Sequence, residues 1–137
     1  MEITITNNQG SPQVSVMHLQ GVLDGSTYQD FIAAGEKLFD AGVRDLILDL
    51  SGLTFLSSAG LAALHRIARV YRGEDRSNLE EGWGALRVMG NDRNNGFQKH
   101  IKLLNPSKEI RNVIDMVGFT SFFEIFSELN PAMASFQ

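Results

Sequence analysis

Residues 45–61 read DLILDLSGLTFLSSAGL, and this stretch decides the fold. Leu46, Ile47, Leu48 and Leu50 form an apolar run of strand length, broken only by Asp49, which is the pattern of a strand buried on both faces of a parallel sheet. Beyond it, Leu61, Leu64, Ala68 and Tyr71 recur at helical spacing. Ser57 and Ser58 therefore stand where a strand over 45–50, a short connection through Ser51 and Gly52, and Thr54 to Leu56 hand over to a helix. A serine hydroxyl there caps free backbone amides, and a negative charge placed on it meets the positive end of the helix dipole. The junction is the candidate functional site, with Ser57 or Ser58 opening the helix.

Working outward, Ile3 and Ile5 alternate with polar neighbours, and Val14, Val16, Met17 and Leu19 follow a turn at 7–12, which predicts a strand pair. Ser26 with Gln29 three residues later has capping-box spacing. Phe31, Ile32, Gly35, Leu38 and Phe39 supply an apolar helical face behind it, and Gly42 is placed to end that helix. On the C-terminal side, Arg72 to Lys99 carries five glycines and many polar residues, yet a structureless connection of that length is improbable inside a compact domain. Residues 85–89 and 100–104 both have strand character, and 100–104 is favoured because it feeds directly into the next helix. Trp83 is read as either an anchor of this segment or an exposed partner contact, the anchor being favoured because large aromatics are usually mostly buried. Ile110, Val113, Ile114 and Val117 predict a helix ending before Gly118, Phe122 to Phe126 a last strand, and Asn130 with Pro131 the start of a terminal helix. Alternating strands and helices predict one α/β domain over residues 1–137, with a mixed sheet and helices mostly on one face.

Composition bounds the chemistry. The chain has 137 residues with 43% hydrophobic and 20% charged, ordinary values for a globular domain. With no cysteine, a disulfide framework, a thiolate metal site and a cysteine nucleophile are excluded. The polar N-terminus lacks the pattern of a secretory signal, and no apolar run approaches the roughly 18 residues that span a bilayer, so a cytoplasmic location is expected. The net charge of −4 hides an asymmetry: seven acids and two bases lie in residues 1–64, against six acids and ten bases in 65–111. Acids interrupt the basic stretch, so direct nucleic-acid binding is not expected.

Catalytic constellations are missing from the sequence pattern. His18, His65 and His100 have no spacing that brings one to Ser58, and the Gly-x-Ser-x-Gly elbow is absent, because Leu56 and Ala59 stand beside the serines. No metal or phosphate-loop motif occurs, so neither a metal nor another cofactor is expected. Asp24 and Asp49 are read as a turn acid and a strand-end acid. A non-enzymatic protein follows.

The motifs DLILDL (45–50), SGLTF (51–55) and LSSAGLAAL (56–64) resemble the signature of the STAS domain family, the anti-sigma factor antagonists. QGVLD (20–24) is similar to the family's turn before its first helix, and NPSKEIRNVIDMVG (105–118) to its closing helix. The likeness spans the chain apart from an insertion at about 72–99. It implies a mixed sheet of four to five strands and a regulator acting by partner switching. In such a protein Ser58 is phosphorylated by a serine kinase that is also the anti-sigma factor, and a phosphatase reverses the modification. Asp24, Ser57, Ser58, Ala59, Gly60 and Leu61 then contribute to partner binding. Ser57 occupies the place of the family's Asp, and Ala59 that of its second Ser or Thr. The alternative implied by these departures is a constitutive, unphosphorylated subunit of a signalling or transport complex. A homodimer is compatible with either, and the insertion is expected to set partner choice or self-association.

Overall fold

The computed structural model describes residues 1–8, 14–74 and 98–136. Five strands form one sheet in the order β1-β2-β3-β4-β5: β1 (Glu2–Asn8), β2 (Val14–Leu23), β3 (Asp45–Leu56), β4 (Ile101–Leu104) and β5 (Glu124–Phe126). β1 runs antiparallel to β2, and the other neighbouring pairs are parallel. The mixed α/β sheet expected from the sequence is present, and 101–104 takes the place beside β3. Residues 85–89, Trp83 and most of the insertion lie outside the described residues.

Strand alternation sends Met17, Leu19, Leu46, Leu48, Leu50, Ile101 and Leu103 to one face of the sheet. Helices α1 (Tyr28–Asp40), α2 (Ser58–Tyr71) and α3 (Lys108–Met116) cover that face through Phe31, Leu64, Ile67, Ile110 and Ile114. The α1–α2 seam closes with Phe39 edge-on to Tyr71, ring centroids 5.2 Å apart, and Tyr71 Oη donating to the Gly35 carbonyl at 2.8 Å. On the opposite face Val14, Val16, Ile47 and Leu104 meet the short α4 (Leu129–Ala134) at Ala132. This second layer explains why Leu46, Ile47 and Leu48 read as a continuous apolar run: all three are fully buried.

Four local expectations are corrected. The linker anticipated at Ser51 and Gly52 is strand: β3 runs unbroken from Asp45 to Leu56. Its pairing with β2 instead skips, from His18 opposite Asp49 to Gln20 opposite Gly52, and the Asp49 carboxylate accepts the Ser51 amide at 3.0 Å across the irregularity. Asp49 is thus mid-strand, not at a strand end. The capping box at Ser26 does not form. Thr27 is the N-cap and makes no side-chain cap bond; its hydroxyl donates to the Val22 carbonyl, while the Ser26 hydroxyl donates to Asp24. Phe122 and Phe123 are buried in an aromatic cluster with Phe119 after a 3-10 turn (Phe119–Ser121), so the last strand keeps only Glu124–Phe126. The terminal helix expected at Asn130 and Pro131 is present as α4, with Leu129 as its first residue.

Candidate functional site

β3 outruns β4. Asp49 pairs with Leu104, the last residue of β4, and from Gly52 to Leu56 the pairing of β3 is with β2. This two-stranded extension carries α2 at its tip. The Ser57 amide donates to the Leu23 carbonyl at 3.0 Å, tying the start of α2 to the end of β2. Asp24 follows immediately, so the Asp24 turn and the Ser57–Ser58 junction meet at the same end of the sheet.

The capping role belongs to Ser57, which has extended backbone and accepts the Gly60 amide on its hydroxyl at 3.3 Å. Ser58 is the first helical residue, exposed, with no side-chain hydrogen bond among the described residues. The amides of Ser58 and Ala59 belong to the first-turn donors that find no carbonyl inside their own helix, and the helix dipole aligns its positive end here. Gly60 is buried, and its position explains its residue type. A Cβ there would stand 2.6 Å from the Leu23 carbonyl oxygen and 2.7 Å from Leu56 Cδ1, so only glycine lets α2 approach the end of β2. Leu61 is 5% exposed and joins the main core. Of the residues singled out from sequence, Asp24, Ser57, Ser58 and Ala59 reach the surface, while Gly60 and Leu61 act from beneath it.

The Asp24 carboxylate accepts the Ser26 amide at 2.9 Å and the Ser26 hydroxyl at 2.7 Å. These bonds from Ser26 hold its pKa below the ordinary aspartate value, so it is an anion at neutral pH. Sequence reading missed one neighbour. Phe55 is 52% exposed, because the strand buries Leu53 and Leu56 and leaves Thr54 and Phe55 outside. The three-residue interval between buried leucines was the available signal. Among the described residues no group of three or more His, Asp or Glu side chains is arranged to hold a metal ion.

The description "Mlab, STAS domain" belongs to the family model that matches residues 6–78, more than half of the chain. The chain is a STAS-domain protein. A curated relative from Bordetella bronchiseptica, carrying the name anti-sigma factor antagonist BtrV, is 26% identical over 119 residues, 87% of this chain and 83% of its own. Among solved structures, an anti-sigma factor antagonist from Mycobacterium paratuberculosis has the same fold, with a TM-score of 0.65 at 19% identity, covering 98% of this chain and 93% of its own. The Bacillus cell fate determinant SpoIIAA in its phosphorylated form matches with a TM-score of 0.59 at 18% identity, covering 98% and 100%. The STAS match includes β2, β3 and all of α2, hence the whole Asp24 and Ser57–Ser58 end of the sheet. No helix among the described residues is long and apolar enough to cross a membrane.

Proposed function

We propose that this STAS protein is an anti-sigma factor antagonist that works by partner switching, with Ser58 as the phospho-acceptor. Unmodified, the surface formed by Asp24, Ser57, Ser58, Ala59 and Phe55 binds an anti-sigma factor that is also a serine kinase, and a client of that factor is displaced. Phosphorylation of Ser58 releases the antagonist, and a phosphatase acting on phosphoserine restores it. The observation that carries the reading is the division of labour between the two serines. Because Ser57 caps α2, the Ser58 hydroxyl is exposed and uncommitted, free to enter a kinase active site.

The physical switch needs no refolding. A phosphate adds roughly 1.5 to 2 negative charges and three acceptor oxygens. Within the protein these meet the amides and dipole of the first turn of a 14-residue helix, which tolerate an anion. At a partner's surface the same group must be desolvated in the middle of the contact, at the end of the sheet that also carries the anionic Asp24. Central placement gives the charge its leverage, since a shift from mostly bound to mostly free takes several kcal/mol of differential affinity.

The test is phosphopeptide and intact-mass analysis of the protein from its own cells, under growth and stress, followed by affinity measurement with the kinase that modifies it. Occupancy at Ser58 that changes with condition, and a Ser58→Asp variant that keeps its circular dichroism while losing the kinase, support the switch. An unmodified Ser58 under every condition points to a constitutive subunit, with the surface used for permanent assembly.

A further inference from the structure

On the sheet face away from α1, α2 and α3, three adjacent strands bring together residues far apart in sequence. Thr6 on β1 has its hydroxyl 3.0 Å from His18 Nε2 on β2, and His18 Nδ1 lies 2.7 Å from Asp49 Oδ2 on β3. The second Asp49 oxygen accepts the Ser51 amide at 3.0 Å, so the carboxylate is fixed from both sides. The roles within the chain of hydrogen bonds follow from chemistry. Asp49 is held ionised: burial works against its charge, but bonds from Ser51 and His18 outweigh that. A carboxylate only accepts, so His18 Nδ1 donates to Asp49, and in the neutral imidazole Nε2 is then the acceptor of the Thr6 hydroxyl proton. That is hydroxyl, general base and orienting acid in the order that activates a nucleophile, an arrangement recognised by geometry and roles on unrelated folds.

The geometry points to Thr6 as a base-activated hydroxyl that accepts an acyl group from an acyl donor with a good leaving group, a thioester or aryl ester. Access distinguishes this from a strut between strands: Thr6 is exposed, and the side chain of His18 keeps 34% of its surface open, against 16% for Asp49 behind it. In the step, Thr6 Oγ1 forms a bond to the acyl carbon and the bond from that carbon to the leaving group breaks. The hydroxyl proton passes to His18 Nε2 and from there to the departing thiolate or aryloxide. One acyl group per chain is the whole of the reaction; repeated turnover would call for an oxyanion site that these three residues do not provide. Asp49 is a positioning residue. The site lies on the middle of β1, β2 and β3, apart from the tip that carries Ser58, and stands independently of the switch proposed there.

The probe is 4-nitrophenyl acetate on the full chain, read by peptide mass spectrometry of the acetylated residues. Acetylation at Thr6 is expected in the native wild type, retained in Thr6→Ser at the new hydroxyl, and slowed by at least about ten-fold in His18→Asn, within the range a positioned base supplies. Asparagine still offers Asp49 a donor, so this variant removes the base while leaving the inter-strand bond a partner. A second arm needs no variant: labelling of Thr6 in native protein is compared with labelling in urea, where the geometry is gone. Thr6 labelling confined to the native state supports the inference even where His18→Asn does not fold. Acetyl groups found only on lysines and the N-terminus, or Thr6 labelled equally in urea or with His18→Asn, would overturn it.

Discussion

The two halves of β3 differ in what surrounds them. From Leu46 to Asp49 the strand has β2 on one side and β4 on the other, with helices on both faces; from Gly52 to Leu56 its ladder is shared with β2, and Thr54 and Phe55 are exposed. The first half is scaffold, since every apolar side chain in it is enclosed. The second is a platform that carries α2 outward and presents Ser58. A single continuous strand thus transmits the rigidity of a fully paired sheet to a surface otherwise supported on one edge.

The comparison breaks most severely at Leu48, which is fully buried in the paired half. Leu48→Ala should cost about 2–5 kcal/mol of folding free energy, through lost transfer energy and a cavity between sheet and helices. Urea denaturation checks it. An equal loss is not expected at Thr54 or Phe55, the exposed pair of the second half, and finding one would erase the distinction between the halves. Gly60→Ala comes next. Its new Cβ would press on the Leu23 carbonyl, a backbone atom held by the sheet, so the start of α2 must move; a loss of about 1–3 kcal/mol is expected, measured the same way. Because the displacement falls on the turn bearing Ser58, the proposed phosphorylation there should slow as well.

How much of this was readable in advance differs between the halves for a physical reason. The run from Leu46 to Leu50 announces itself because burial on both faces leaves no room for polar residues. Ser51 and Gly52 read as a linker because the irregular pairing they occupy is held by bonds to a neighbouring strand and by Asp49, and a one-dimensional pattern contains neither. At Ser26 the spacing was right, but its hydroxyl and that of Thr27 were taken by Asp24 and the Val22 carbonyl. The Ser57–Ser58 junction was visible as a strand-to-helix handover, whereas which serine caps α2 was set by backbone geometry. The relay from Thr6 through His18 to Asp49 joins positions 12 and 31 residues apart, beyond any local motif.

Acid sharpens the comparison at Asp49, where the two halves join. Its folded pKa lies below the unfolded value: burial opposes the charge, and the hydrogen bonds from Ser51 and His18 prevail. A depressed carboxylate contributes stability that is present above the unfolded pKa, about 3.9, and is lost as pH falls through the folded value. Tm should therefore fall below about pH 4, and fall less steeply in Asp49→Asn. Ser57→Ala probes the tip alone. Loss of the bond to the Gly60 amide should cost about 1 kcal/mol, within the range for N-cap serines, while Ser58 stays accessible. Equal stability in wild type and variant would show that the cap adds nothing to the platform.

The smallest stability effect is expected where the functional effect is large. Phe55 already has half its surface in water, so Phe55→Ser should change folding free energy by no more than about 0.5 kcal/mol. An exposed aromatic three residues before Ser58 would serve a partner as a rigid apolar anchor, and truncating such an anchor costs about 2 kcal/mol or more of binding. Titration calorimetry against the partner of the proposed switch, with Tm recorded in parallel, separates the two quantities. Weaker binding by more than about ten-fold at unchanged Tm fits a half-strand retained for recognition. Unchanged binding would confine the partner's footprint to the Asp24 and Ser58 turns. A falling Tm would mean that Phe55 supports the extension, and that the protruding half of β3 is scaffold after all.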